Sequence, residues 1–583
     1  ERLHYFASAV VTPDELAELD RRMADFGARE GPRLQAALIA RDKASYSSFI
    51  SKPWFDLYLT DRRSLLLNYN PQLTFKDEVA PTTQASRAAR LAYGAMTFLR
   101  TLEARVLEPD IFHTNPKRSK QEWWPKAMAS LPRSVSFYGA AVTGAFPLDM
   151  SQYANLFRST RVPGAAKDAL QVAEGSRHVV VQRGGRFWTV EVLDADGGTR
   201  PLDQIHGAFQ AIIDAADAAP APADGAVGYL TSLPRDEWAG LRAQLLPRNG
   251  GTIEAIDTAL FAISLEEDTP ESLDDVCRCF LHGDGADRWY DKSFQLVVSA
   301  NAKAAVNFEH SWGDGVAVLR FFNEVYDASR ALPALDSPAR PATPPTSLEW
   351  ELTPELRGAV TDAAARYGAT VASTDLAGVE TDTFNSGVLK NLKLSPDGMM
   401  QMSFQLAHMR THGVLAPTYE SASTAAFKHG RTETIRSATP EAHAFAAAFC
   451  DASIDAGTRV AKLRAAVDNH SRITRNALMG KGIDRHLFAL QELAAEEGHT
   501  PGLFSCDAYA KFGRIIMSTS TLSSDALENG GFGPVNEDCY ALGYGIRDVG
   551  CRTLVMTYGR DSAGFAEQLQ LAMRDMRDAA EKA

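Results

Sequence analysis

The segment from Ser293 to Tyr326 constrains the fold more than any other part of the chain. It reads as a strand (Phe294-Gln295-Leu296-Val297-Val298), a turn at Asn301-Ala302-Lys303, and a second strand from Ala305 through Phe308 to Glu309-His310. A Gly-containing stretch, Ser311-Trp312-Gly313-Asp314-Gly315, then opens a helix whose apolar positions Val318, Phe322, Val325 and Tyr326 keep one face. Two strands therefore pair and deliver one histidine to a strand end, where glycines keep the backbone close. A histidine in that setting can project into a cleft, and an ordinary imidazole titrates near neutrality, as a general base requires.

The chain has 583 residues, which at roughly 150 residues per domain corresponds to three or four domains or two large ones. Apolar residues make up 45% and charged residues 23%, the balance of a globular protein with a large core. The net charge of −13 argues against nucleic acid as the main partner, although a local basic pocket remains compatible with it. Six scattered cysteines without a Cys-x-x-Cys pair point to a reducing compartment, and Cys277 and Cys279 lack the second ligand pair of a zinc site. No apolar run is long enough to span a membrane. The sequence starts at Glu1 without a basic, Ser-rich or apolar leader, so any targeting segment is expected to have been removed or never present.

Strand-like and helix-like patterns alternate, which favours α/β over a helical bundle. The first hundred residues read as mainly helical, broken at Tyr46-Ser47-Ser48 before Pro53-Trp54-Phe55. His178–Gln182 and Phe187–Leu193 read as a hairpin closed by Gly184-Gly185. An Ala/Pro-rich loop surrounds Pro220-Ala221-Pro222, and the five prolines between Pro333 and Pro345 mark the strongest internal connector. There is no phosphate loop of the Gly-x-x-x-x-Gly-Lys type, no His-Glu-x-x-His helix and no Rossmann glycine triplet; Gly530, Gly531 and Gly533 do not make one. Glu309 stands where a serine nucleophile elbow needs glycine, which disfavours an acyl-serine intermediate.

Beyond the hairpin, Lys390-Asn391-Leu392-Lys393-Leu394-Ser395-Pro396-Asp397-Gly398 sets two lysines before a capped helix that ends at about His412, a place suited to a phosphate. The nineteen residues from Thr418 to Arg436 are dense in hydroxyls and charge without a core-like period. His310-x-x-x-Asp314-Gly315 resembles the His-x-x-x-Asp-Gly motif of CoA-dependent acyltransferases. Leu281 through Ser293 resembles the His-Gly-x-Gly-x-Asn-Arg-Trp-x-Asp-Lys-Ser signature of the choline/carnitine acyltransferase family, with Asp287 in place of the usual asparagine. The resemblance extends from the Phe49–Phe55 region to the C-terminal helix, and the branch it points to is the matrix-side carnitine O-palmitoyltransferase type.

The resemblance implies the following roles. His310 is the general base, with Asp314 structural, and Ser520 of Met517-Ser518-Thr519-Ser520 donates to the developing oxyanion. Lys390, Lys393, Ser395 and Asp397 bind CoA, while Ser386 stands where many members have a further lysine. Tyr419, Ser421, Thr432 and Arg485 bind the carnitine carboxylate, for which a guanidinium is a natural partner. Ser518 and Phe532 lie by the trimethylammonium group. Gly530 holds the position where short-chain members carry a methionine, so it leaves an acyl tunnel open. His429 and His486 are read as structural.

The implied fold is two chloramphenicol-acetyltransferase-like α/β domains with a central tunnel, residues 1–375 carrying the histidine and 376–583 the CoA and carnitine motifs. The implied reaction is reversible long-chain acyl transfer between CoA and L-carnitine, with no bound cofactor, no metal and no acyl-enzyme. The alternatives are a medium- or short-chain transferase and a non-catalytic acyl-CoA or carnitine binding module. A monomer is expected, in the mitochondrial matrix and peripheral to the inner membrane if the source is eukaryotic, otherwise cytoplasmic; any membrane contact rests on the family alone.

Overall fold

The computed structural model describes residues 1–582 except Pro81, Pro220, Ala221, Ala223, Asp224, Ala334, Asp336 and Ala342. Pro220-Ala221 of the expected Ala/Pro loop, and three residues of the Pro333–Pro345 connector, thus lie outside the described residues. Fourteen strands build two sheets, numbered here along the chain. The first holds β1 (Gln72–Phe75), β2 (His178–Arg183), β3 (Arg186–Glu191), β4 (Ala262–Leu265), β5 (Phe294–Val298), β6 (Ala304–Phe308), β7 (Thr346–Leu348) and β12 (Leu527–Gly531). The second holds β8 (Thr374–Thr381), β9 (Thr418–Ser423), β10 (Thr432–Ile435), β11 (Met517–Thr521), β13 (Tyr540–Arg547) and β14 (Gly550–Tyr558).

The first sheet runs β7-β3-β2-β4-β5-β6-β1-β12. Its centre is the expected hairpin: β5 and β6 pair antiparallel with Phe308 opposite Phe294, and every residue of both strands is buried. Burial on both faces explains why these strands read as continuous apolar runs rather than as alternation. The β2–β3 hairpin is also present, with Gly184 and Gly185 at φ 59° and 74°. Both glycines supply the left-handed backbone that a tight hairpin turn demands. The helices Gln84–Glu103 and Gly315–Arg330 cover one face, where Phe322 stacks on Phe75 at 3.8 Å.

In the second sheet, ordered β8-β14-β13-β11-β9-β10, the central strands β9, β11 and β13 are parallel. The helices Pro396–His412 and Ser562–Glu581 pack their apolar side chains against it, Met399, Leu406, Phe565 and Leu569 being fully buried. The expected division at 375/376 falls just after β8 begins, but two pieces of chain cross it. The helices Pro13–Ala28 and Glu30–Ala44 bury Leu19, Leu34 and Leu38 with Leu490, Leu493 and Phe504 of the C-terminal part. Strand β12, from the C-terminal part, completes the first sheet by pairing with β1, Leu73 opposite Gly530. That crossing depends on a glycine: a Cβ on Gly543 of β13 would lie 2.5 Å from the Gly530 carbonyl oxygen.

Beneath the histidine turn lies a fully buried ion network. Arg161 joins Glu309 (2.9 Å) to Asp168 (2.8 Å), and Arg235 joins Asp168 (2.7 Å) to Asp291 (2.7 Å), all with no solvent exposure. Removing one partner leaves a buried charge uncompensated, so Arg161→Met should lower the unfolding free energy by about 3–5 kcal/mol in urea titrations; a loss under about 1 kcal/mol, the size of a surface pair, would show that the network does not hold the turn.

Candidate active site

A cavity of about 390 Å³ opens between the two sheets. Its wall takes His310 and Asp314 from the first sheet, Tyr419, Ser421, Thr432, Ser518 and Ser520 from the second, and Gly530 and Phe532 from the crossing strand and the turn after it. Residues expected to act together, from sequence positions more than two hundred apart, thus meet in one space.

His310 follows β6 at its end, with its backbone N–H donating to the Tyr69 carbonyl at 3.0 Å. Its Nδ1 is buried without a hydrogen-bond partner among the described residues, which leaves Nε2 as the ring nitrogen able to meet a substrate. The Tyr58 ring stacks on the imidazole, with centroids 5.4 Å apart. Arg431, from the turn before β10, clasps the histidine turn from the other sheet. It donates to the carbonyls of His310 (3.0 Å) and Ser311 (2.8 Å) and pairs with Asp314 at 2.6 Å. Gln152 Nε2 also donates to Asp314, at 3.0 Å. Burial is the largest influence and would raise the Asp314 carboxyl, but the Arg431 charge and hydrogen bond, joined by the Gln152 hydrogen bond, together hold Asp314 below the usual carboxylate range. Asp314 therefore stays ionised and structural, and acts through Arg431 and the turn.

The acceptor side is layered. Tyr419, Ser421 and Thr432 face the cavity, whereas Arg485 stands behind them. Its Nη2 donates to the Tyr419 hydroxyl (3.0 Å) and the Thr432 hydroxyl (3.1 Å), and its Nε to the Thr432 carbonyl (2.8 Å). Arg485 is thus placed to polarise the hydroxyls rather than to line the cavity itself. The Trp54 ring covers its guanidinium at 3.5 Å, and Trp54 Nε1 is buried without a hydrogen-bond partner among the described residues. Ser518 and Ser520 lie two apart on β11, on the same face of the strand. Thr519 points the other way and donates to the Tyr419 carbonyl at 3.1 Å, which fixes β11 against β9.

The expected CoA residues lie outside the cavity wall. Lys390 and Lys393 are exposed at the end of the short helix Ser386–Asn391 and in the turn that follows. Ser395 caps the helix Pro396–His412 as expected, its oxygen accepting from Gly398 N–H at 3.2 Å. Asp397 accepts from the Tyr544 hydroxyl (2.6 Å) and lies 3.2 Å from His470 Nε2. Gln401 on the same helix donates to Thr519 at 2.9 Å, joining this region to the serine strand. The His429 backbone N–H donates to Asp149 (2.9 Å), and the His486 ring bonds Gln35 (2.6 Å).

Trp54, Tyr58 and Arg431 were not singled out by the motif reading. Trp54 and Tyr58 share one face of the helix Ser51–Thr60 at i, i+4 spacing, a signal that was available. Nothing near Arg431 in sequence announces its partners, which lie 117 to 121 residues away.

The sequence pattern of the choline/carnitine O-acyltransferase family matches residues 1–571. The chain belongs to that family. It is 41% identical over 574 residues to carnitine O-palmitoyltransferase 2, mitochondrial, of Mus musculus, covering 96% of this chain and 86% of that protein. The Homo sapiens protein of the same name is 41% identical over 566 residues, covering 94% and 85%. Choline O-acetyltransferase of Mus musculus is 30% identical over 582 residues, covering 94% and 85%.

One acidic pair gives this site a pH signature. Burial, and then the Asp397 charge, push the Glu420 carboxyl well above its ordinary value, while the His470 and Tyr544 hydrogen bonds keep Asp397 low against its own burial. A carboxyl raised in the folded state contributes stability that is present at low pH and lost as pH rises through its folded value. Glu420→Gln should therefore melt progressively above the native protein as pH is raised from mildly acidic to alkaline. Parallel melting curves at every pH would mean that Glu420 is ionised in the folded protein.

Proposed function

We propose that the protein transfers a long-chain acyl group reversibly between CoA and L-carnitine. The observation that carries this reading is the cavity in which His310 of one sheet faces Tyr419, Ser421 and Thr432 of the other, with Arg485 behind them. Those hydroxyl donors suit a carboxylate, and the guanidinium adds a charge at one remove. Ser518 and Phe532 take the trimethylammonium end, since an aromatic face attracts a cation. Lys390 and Lys393 meet the 3′-phosphate of CoA, and Ser395 and Asp397 lie along its pantetheine arm.

In the forward direction His310 Nε2 accepts the proton of the carnitine hydroxyl as its oxygen attacks the thioester carbonyl. The Ser520 hydroxyl donates to the tetrahedral oxyanion, a role worth about 3–4 kcal/mol for one such donor elsewhere. As the C–S bond breaks, His310 returns the proton to the CoA thiolate. Arg431 and Tyr58 fix the imidazole, so little reorganisation accompanies the transfer. No acyl-enzyme forms, His310 carrying only the proton between the two substrates, and the reading calls on no resident cofactor or metal.

Acyl length follows from Gly530. Gly530 and Leu73 both line the cavity, and a Cβ on Gly530 would already approach Leu73 Cδ2 at 3.1 Å, so a larger side chain there would crowd this part of the wall. With glycine the space stays open, and each buried methylene adds about 0.8 kcal/mol of binding that acetyl lacks.

The reading places the protein as a monomer at the matrix face of the inner mitochondrial membrane if its source is eukaryotic, and otherwise in the cytoplasm. No described helix is long and apolar enough to cross a membrane. Peripheral contact is supported by Trp123, Phe137, Tyr138 and Val142, large apolar side chains exposed on the helices Trp123–Ser130 and Arg133–Val142.

The test is CoA-thiol release from acetyl-, octanoyl- and palmitoyl-CoA with carnitine, and with choline as control. Palmitoyl with carnitine should be fastest, and His310→Ala should reduce it by about 10²–10⁴-fold without lowering the melting temperature. Retained activity in that variant would refute the base assignment. Gly530→Met should shift preference toward acetyl; an unchanged chain-length profile would remove Gly530 from the acyl path.

A further inference from the structure

Three strands carry the cavity wall from its buried part to solvent, and their side chains change character in step. In the inner part the wall includes the buried Leu73, Gly531 and Leu554 and the half-buried Gly530. Further along, β12 contributes Glu528, β13 Arg547 and β14 Arg552, all in the wall of the same cavity. The strand registers place them together: Leu554 lies opposite Gly543 and Arg552 opposite Gly545, while Gly543 sits against Gly530. A Cβ on Gly545 would meet only the Leu522 carbonyl oxygen at 3.7 Å, so this stretch of β13 lines open space.

Glu528 is turned out of its ladder. Thr74 pairs with Asn529 and Phe75 with Leu527, which makes Glu528 the extra residue of a bulge, a feature that re-aims a side chain. Arg552 pairs with both Glu528 and Glu380 of β8, and Arg547 lies 3.6 Å from Glu528. Two carboxylates and two guanidiniums thus form a neutral chain across four strands. The side chains of Glu528, Arg547 and Arg552 are 32%, 27% and 26% exposed, so the cavity reaches water here. Beside them the polar side chains of Gln72, Thr74 and Asn529 satisfy one another at 2.8 to 3.1 Å.

We infer that this charge chain is the stop that limits the length of the acyl tail. The inference rests on the acyl-transfer reading above. A tail gains from each methylene while the wall is apolar, but at Glu528 and Arg552 it must take water from an ion pair, which costs more than a methylene returns.

Octanoyl-, palmitoyl- and docosanoyl-CoA, assayed as kcat/KM at saturating carnitine, read the stop directly. Glu528→Ala should raise docosanoyl relative to palmitoyl by about tenfold, the scale on which a pocket discriminates one or two methylenes, and leave octanoyl unchanged. Arg552→Ala breaks the chain from its other partner and has to move the profile the same way, with melting curves as a check on folding. Equal changes at all three lengths, or a raised KM for free CoA in the reverse reaction, would assign the charges to the CoA path and overturn the inference. Equilibrium binding of the same acyl-CoAs reads the stop without turnover. A native protein that binds by chain length, with the limit shifted in Glu528→Ala, but releases no thiol with carnitine keeps the stop and fails the transfer reading.

Discussion

The site depends on one side chain that crosses between the sheets. Arg431 belongs to the edge of the second sheet that carries Tyr419 and Thr432, yet it bonds the carbonyls of His310 and Ser311 and the carboxylate of Asp314 in the turn that follows β6. The base and the proposed acceptor site are built on separate sheets, so nothing local sets the distance between them. A buried guanidinium with three acceptors in fixed directions does set it. The adjacent residue, Thr432, lines the cavity, so the same backbone turn that carries the clasp also carries a proposed carboxylate donor. Positioning and recognition are thereby coupled through one peptide unit.

Around that clasp the structure places rigid supports rather than further chemistry. The Arg161–Glu309 pair holds the histidine turn from below, Tyr58 packs on its ring, and Trp54, one helical turn earlier, packs on Arg485. A single short helix, Ser51–Thr60, thus buttresses both halves of the site. The crossing of β12 performs the corresponding task for the proposed acyl side: it brings Gly530 between the sheets and ends their separation there. Such preorganisation is what a direct transfer needs, since two substrates must meet the base in one geometry without a covalent intermediate to hold either of them.

Much of this was legible from residue order. The β5–β6 hairpin and His310 could be read because both strands are continuously apolar and the glycines after them have few other uses. The Ser395 cap and the end of its helix at His412 followed from local chemistry alone. Strand β12 was not legible: Leu527-Glu528-Asn529-Gly530-Gly531 has neither the apolar run nor the branched residues of a strand, and its pairing with β1 is made across more than four hundred residues. Its glycines make sense only against Gly543 and Leu73, neighbours that the sequence does not announce. Arg485 lies behind Tyr419 and Thr432 rather than in the cavity wall, a depth that residue type does not carry. The packing of the first helices onto the C-terminal part, through Leu34, Leu38, Leu490 and Leu493, was hidden for the same reason.

The central claim is that the acyl group passes directly from one substrate to the other under a single histidine. It is tested most directly by the intact mass of the protein after incubation with palmitoyl-CoA in the absence of carnitine. The account predicts an unmodified protein and no stoichiometric release of CoA thiol until carnitine is added. A palmitoyl adduct formed with one equivalent of thiol, and discharged by carnitine, would contradict it.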